Sequence, residues 1–242
     1  MMKRFSYWLI VPCYNEAGRL CRSAFMDFRR REPDTGIIWV DDGSRDATGE
    51  ICRQLAADCG GFYLRLGKNG GKAEAVRQGA LWALEQPCRG IGYWDADLAA
   101  PLTEYEGLRR TFEDENALLV MGSRWRHLGN NRIRRRLFRH CIGRIFASCA
   151  ALKTDMPVYD TQCGAKLMAA EAARAAFAEK FATRWFFDVE ILLRLSAVYG
   201  ETFAERRCFE IPLATWIDQG KSKVHLLPAF ADFCRLMLLR QH

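Results

Sequence analysis

The 242-residue chain has no run of about 20 uncharged apolar residues, so no transmembrane helix is expected. Its basic start, Met1-Met2-Lys3-Arg4, leads into an apolar stretch that ends by Asn15-Glu16. No small-residue cleavage site follows, so that stretch reads as a β-strand and not as a signal peptide. None of the ten cysteines stands in C-x-x-C spacing, which argues against a zinc site or a redox motif. Several lie inside apolar runs as small buried hydrophobes, and a reducing cytosolic compartment is expected. Internal repeats, low-complexity stretches and linkers are missing too. One domain with a C-terminal elaboration is therefore expected, and a chain of this length buries a substantial core without disulfides.

What is present is ordinary in bulk: half the residues are hydrophobic and 27% are charged. The net charge of +7 favours anionic partners such as nucleotides, lipid phosphates or a membrane surface.

The first half alternates short apolar runs with helical spacing. Tyr7–Val11, Ile37–Val40, Phe62–Leu66, Ile91–Trp94 and Leu118–Met121 read as strands. Residues 16–31, 46–59, 72–86 and 103–115 read as helices. This alternation predicts right-handed βαβ units and an α/β fold with a mostly parallel sheet flanked by helices. Later, 132–152 reads as a basic amphipathic helix, 186–199 as an apolar helix, 206–213 as a strand and 226–239 as a final amphipathic helix.

In such sheets ligands bind beyond the carboxyl ends of the strands. Four motifs fall there: Pro12-Cys13-Tyr14-Asn15-Glu16, Asp41-Asp42-Gly43-Ser44, Asp95-Ala96-Asp97 and Gly122-Ser123-Arg124. Asp95 and Asp97, one residue apart, can share a hard divalent cation, Mg²⁺ or Mn²⁺, beside a diphosphate. Turn chemistry and capping account for Gly43, Ser44 and Asp46. They do not account for two adjacent acids after Ile-Ile-Trp-Val, which can bond a base or ribose. Glu16 can bind ribose likewise, or sit in the first turn of a helix. Gly67-Lys68-Asn69-Gly70-Gly71-Lys72 precedes a helix, where Lys72 can reach a phosphate; Ala73 breaks the Walker A pattern.

Between positions 124 and 144 stand eight arginines: 124, 126, 132, 134, 135, 136, 139 and 144. Guanidinium suits phosphate recognition. With Phe138, Ile142, Ile145, Phe146 and Cys149 at helical spacing, the segment suits an anionic membrane interface. A solvated charged face over the core is the plainer reading. No nucleic-acid-binding motif accompanies the run, so nucleic acid is not expected as a partner.

Taken in order, these motifs together with Gly70-Gly71-Lys72 resemble glycosyltransferase family 2, which has the GT-A fold. Asp160-Thr161-Gln162-Cys163-Gly164, Arg184-Trp185-Phe186-Phe187-Asp188-Val189-Glu190, Trp216 and Gly220-Lys221-Ser222-Lys223 bring the chain closest to the dolichyl-phosphate β-glucosyltransferase and polyprenyl-phosphate glycosyltransferase type. The resemblance implies one domain over 1–242, with a nucleotide-sugar-binding half, 1–124, and an acceptor-binding, membrane-proximal half, 125–242. It implies that Pro12, Tyr14, Glu16, Asp41, Asp42, Lys72, Asp95 and Ala96 bind the nucleotide sugar. Asp95 and Asp97 would hold the cation. Asp97, Arg124, Arg139 and Asp160 would serve catalysis, and Gln162, Asp188, Ser222 and Lys223 the acceptor or its phosphate. Ala99 departs from related mannosyltransferases, which often carry Gln there. Related enzymes often carry membrane helices; this chain's membrane contact would be peripheral, through 132–152 and 224–240, at the cytoplasmic face.

The expected reaction is an inverting hexosyl transfer onto a polyprenyl phosphate. UDP-glucose is the expected donor, with a GDP-sugar as the alternative. A phosphate monoester, with its second pKa at about 6, is already charged and needs positioning more than a base. A glycan hydroxyl, the acceptor in surface polysaccharide synthesis, would need a positioned carboxylate, for which Asp160 is the candidate. Otherwise Asp160 is an acid orienting the acceptor side. A nucleotidyltransferase could use a similar sheet and acidic metal site, and would release pyrophosphate from a nucleoside triphosphate. A non-catalytic basic binding module would leave the strand-end acids without a role.

Overall fold

The computed structural model describes residues 5–125, 132–134, 156–200, 202–219 and 226–238. Its strands are β1 (Tyr7–Cys13), β2 (Thr35–Asp41), β3 (Phe62–Arg65), β4 (Gly90–Trp94), β5 (Leu119–Ser123), β6 (Arg132–Arg134), β7 (Ala165–Ala169), β8 (Cys208–Pro212) and β9 (Thr215–Ile217). Its α-helices are α1 (Arg22–Arg31), α2 (Thr48–Cys59), α3 (Lys72–Leu84), α4 (Tyr105–Asp114), α5 (Ala170–Phe177), α6 (Phe187–Tyr199) and α7 (Leu226–Leu238).

Seven strands form one sheet in the order β3-β2-β1-β4-β7-β5-β8. All neighbours run parallel except at β7, which is antiparallel to both β4 and β5. Strand β1 is central and buried on both faces, which explains its continuous apolar run. Tyr7, Leu9 and Val11 face the layer holding Phe25 and Phe28 of α1, Cys52 and Leu55 of α2, and Leu108 of α4. Trp8 and Ile10 face Val76 and Ala80 of α3, Phe177 of α5 and Ile191 of α6. This period-two split makes the sheet the middle of a three-layer domain. The mostly parallel sheet and flanking helices are those expected from the sequence. Strands β7 and β8, from the second half of the chain, complete the same sheet.

Two local expectations need correction, and one strand falls where no element was read. Helix α1 starts at Arg22, not at 16, because Asn15 adopts positive φ and Cys21 is extended. Residues 16–20 are turns in which Arg19 N and Leu20 N both donate to Glu16 O. Residues 132–134 are not helical: they pair in parallel with β9. The rest of the basic segment, 135–155, lies outside the described residues. Finally, Ala165-Lys166-Leu167-Met168-Ala169 is a strand although its composition favours a helix. Pairing on both edges overrides that preference.

Candidate active site

The site forms where β1, β2, β4 and β5 end. The loops after β1 and β2 are tied together. Asn15 N donates to Ser44 Oγ at 3.0 Å, Arg45 N to Asn15 Oδ1 at 2.9 Å, and Glu16 N to Thr48 Oγ1 at 2.7 Å. Pro12 and Tyr14 are half-buried on this rim. Glu16 is gripped by Arg19, whose Nη2 donates to Oε1 at 2.7 Å.

The two adjacent acids divide their work. Asp41 is wholly buried. Its Oδ1 accepts from Ser44 N at 2.8 Å, and its Oδ2 meets Arg65 and Tyr63 at 3.3 Å each. It shapes the turn after β2. Asp42 accepts from Gly70 N at 2.7 Å and Gly71 N at 2.8 Å, one on each oxygen. The two glycine amides before α3 are therefore engaged by Asp42. Burial pushes the Asp42 carboxyl above the usual carboxylate range, against the opposing pull of those two amides. Gly71 has φ +91°, and a Cβ there would lie 2.8 Å from Arg184 Cγ, so a glycine is needed on both counts.

Lys72, at the start of α3, turns to Asp95: Nζ lies 2.6 Å from Oδ1. Burial works against its charge, but Asp95, Asp188 and Asp97 outweigh it and raise the Lys72 pKa. Asp97 Oδ1 accepts from Ala99 N at 3.1 Å, and Arg19 lies 4.0 Å from Oδ2. Burial, and then the neighbouring Asp95, raise the Asp97 carboxyl. Ala96 is buried between the two acids. Ala99 O accepts from Ile217 N at 2.9 Å, so β9 docks on this loop. Among the described residues no cluster of three or more His, Cys, Asp or Glu is assembled.

The turn 160–164 closes the site from the other side. Asp95 N donates to Gly164 O at 3.0 Å. A Cβ at Gly164 would lie 2.6 Å from Asp95 Oδ1 and nearer still to Oδ2 and Cγ. At the start of the turn, Asp160 clamps Arg124: Nε donates to Oδ2 and Nη2 to Oδ1, both at 2.6 Å, and Arg124 N also donates to Oδ2 at 3.0 Å. Glu210 of β8 holds the Tyr159 and Asp160 amides, each at 2.7 Å. The guanidinium lies 5.5 Å from the Trp216 ring centroid. Burial opposes the Arg124 charge, but Asp160 outweighs it and raises the pKa further. Two buried polar atoms of this region, Ser123 Oγ and Gln162 Nε2, have no hydrogen-bond partner among the described residues.

Asp188 is buried, and Oδ1 accepts from Lys166 Nζ at 2.6 Å and from the Tyr93 hydroxyl. It is the counter-ion of Lys166. Arg139, Ser222 and Lys223 lie outside the described residues. A cavity of about 730 Å³ opens among Gly67, Lys68, Gly70, Phe181, Arg184 and Asp232. Its lining includes none of Glu16, Asp42, Asp95 or Asp97, so it is not the site built here.

Sequence reasoning missed Arg19, Lys166, Glu210 and the packing role of Gly164. Gly164 had the clearest signal, since a glycine beside a strand end often marks close approach of other atoms. Lys166 sat in an unassigned stretch, and Glu210 gave no local sign.

The profile of Glycosyl transferase family 2 matches residues 8–176, and the chain belongs to that family. It is 31% identical over 230 residues to a dolichyl-phosphate beta-glucosyltransferase of Trichomonas vaginalis, spanning 90% of this chain but only 65% of that protein. The Homo sapiens dolichyl-phosphate beta-glucosyltransferase is 32% identical over 238 residues, covering 88% of this chain and 72% of that one. Among solved structures, glucosyl-3-phosphoglycerate synthase from Mycobacterium tuberculosis, in complex with Mn²⁺, uridine diphosphate and phosphoglyceric acid, has a TM-score of 0.67 at 16% identity. That match covers 96% of this chain and 76% of the other, and it establishes the shared GT-A fold.

Proposed function

We propose that the chain is an inverting hexosyltransferase that moves glucose from UDP-glucose onto a polyprenyl or dolichyl phosphate. The observation that carries this reading is the Arg124–Asp160 clamp. Both Asp160 oxygens accept from the permanently charged Arg124 guanidinium, so the carboxylate is committed to a cation. A hydroxyl acceptor would need a free base; a phosphate acceptor is already ionised at neutral pH and needs cations to position it. The names of the related β-glucosyltransferases point the same way.

Asp95 and Asp97 would hold Mg²⁺ or Mn²⁺, hard cations that carboxylate oxygens suit. A bound cation supplies Lewis-acid neutralisation of the leaving diphosphate. Lys72 adds a second positive charge beside Asp95. Glu16 serves the ribose, while Asp42 holds the glycine loop in the shape that frames the donor. Pro12 and Tyr14 line the nucleoside end. The acceptor phosphate oxygen attacks the anomeric carbon as the bond to the diphosphate breaks on the opposite face, which inverts the centre. Arg124 and, from their sequence match, Arg139, Ser222 and Lys223 steady the two phosphate groups. Gln162 Nε2, a buried donor without a partner among the described residues, is a further contact for the acceptor side.

No helix among the described residues is long and apolar enough to cross a membrane. Helix α7 exposes Met237 (42%) and Leu238 (82%), which suits peripheral contact with a membrane surface. The test of the donor assignment is calorimetric titration with UDP and with GDP, each with and without Mn²⁺. The reading expects tight, Mn²⁺-dependent UDP binding; equal or better binding of GDP overturns the choice of base.

A further inference from the structure

Lys166 is fully buried, in a strand flanked on both sides by apolar partners. A sealed ammonium is expensive, and well-packed apolar residues often replace a buried ion pair without loss of stability. Stability alone therefore does not explain why a lysine stands here. Its three protons are all used: Nζ donates to Thr161 O at 2.9 Å, to Cys163 O at 2.6 Å and to Asp188 Oδ1 at 2.6 Å. The ammonium lies 5.3 Å from the Tyr93 ring centroid, and the Tyr93 hydroxyl donates to the same Asp188 oxygen.

Two of those acceptors belong to the turn 160–164. One end of that turn fixes Arg124 through Asp160, and the other bears on Asp95 through Gly164. Lys166 thus grips the inside of the segment that joins the two charged halves of the site. The same Asp188 also acts on Lys72, whose Nζ lies 5.8 Å from the Tyr93 and Phe187 ring centroids.

We propose that Lys166, braced by Asp188 and Tyr93, is a positioning residue for diphosphate recognition: it holds the 160–164 turn so that the Asp95 carboxylate and the Arg124 guanidinium keep one fixed separation. This inference rests on reading Asp95 and Arg124 as the diphosphate site. Lys166 touches no substrate; it acts through the turn. Its effect should fall on the β-phosphate and spare the nucleoside end, which is bounded by the β1 and β2 loops.

The test is the affinity of UDP relative to UMP, measured calorimetrically with Mg²⁺, in the wild type and in the double variant Lys166→Met/Asp188→Asn, which removes both buried charges together. The expected result is a UDP preference reduced by at least about tenfold, the usual effect of losing a group behind the contact shell. UMP affinity stays the same, and the thermal midpoint stays within a few degrees. An unchanged preference in the folded variant overturns the proposal. So does a parallel fall in UDP affinity, UMP affinity and midpoint, which marks a purely structural role. Tyr93→Phe keeps the ion pair and removes one hydrogen bond. If the double variant does not fold, this change should lower the preference by about threefold, and an unchanged value overturns the idea. A wild-type protein with no UDP preference would contradict the diphosphate-site reading itself, and this inference with it.

Discussion

Gly164→Ala separates function from stability at a single atom. The added Cβ would sit 2.6 Å from Asp95 Oδ1 and closer to Oδ2 and Cγ, well inside the 3.0 Å below which real Cβ contacts essentially never fall. What stands in the way is a side-chain end and not backbone, so the carboxylate gives first, by on the order of 1 Å. Gly164 is not among the residues with positive φ, so alanine fits its backbone. Lower entropy of the unfolded chain then offsets part of the strain, by about 0.4–1 kcal/mol. The thermal midpoint should move by no more than a few degrees. Misplacing a group of the reaction centre by about 1 Å lowers rates roughly 100-fold, or about 2.7 kcal/mol of transition-state stabilisation. The assay is kcat/KM for UDP release in Mn²⁺, alongside a melting curve. Activity within about threefold of wild type would refute the claim that Asp95 acts from its present position.

Asp97→Asn should abolish metal-dependent turnover and leave the fold intact, with a melting midpoint at pH 7–8 equal to or above that of the wild type. The sign follows from the raised Asp97 carboxyl: the folded state holds that proton more tightly than the unfolded one, so stability is lost as pH rises through the folded pKa. The gain from Asn should therefore vanish below about pH 4, where the wild-type carboxyl is protonated in both states. For the same reason Mn²⁺ affinity of the wild type should begin to fall at a pH above the ordinary carboxylate range, which a titration of metal binding against pH checks. Asp160→Asn removes one charge from the Arg124 clamp and should lower kcat/KM about tenfold without moving the pH profile. Loss of an acidic limb would identify Asp160 as a base. Arg124→Lys loses the fork that meets both Asp160 oxygens and should lower kcat/KM by at least about tenfold, with little recovery at high acceptor concentration.

The sequence made the donor side of the site legible because its signals are local. Val11, Val40 and Trp94 end apolar runs, and each run gives way to polar strand-end residues that a parallel sheet gathers at one edge. Even so, the sequence could not say which of Asp41 and Asp42 is sealed into its own turn. That depends on Arg65, Tyr63 and the Gly70 and Gly71 amides, 22 to 29 residues away. The acceptor side was harder. Strand β7 looks helical in composition and becomes a strand because β4 and β5 both pair with it. Asp160 meets Arg124 across 36 residues and Glu210 across 50, and no spacing rule reaches that far. Asp188 carried a helix-start signature that was real, since it lies in the first turn of α6. Its partner Lys166, in a strand that no local pattern marked, decides what it does.

The most direct measurement is transfer of radiolabelled glucose from UDP-glucose to a short polyprenyl phosphate, with and without Mn²⁺. Reading the Asp95-Asp97 and Arg124-Asp160 pairs as a diphosphate and phosphate site predicts a glucosyl phospholipid with inverted anomeric configuration, formed only with the cation and lost in Asp97→Asn. UDP release that ignores the lipid phosphate but requires a glycan hydroxyl would contradict it.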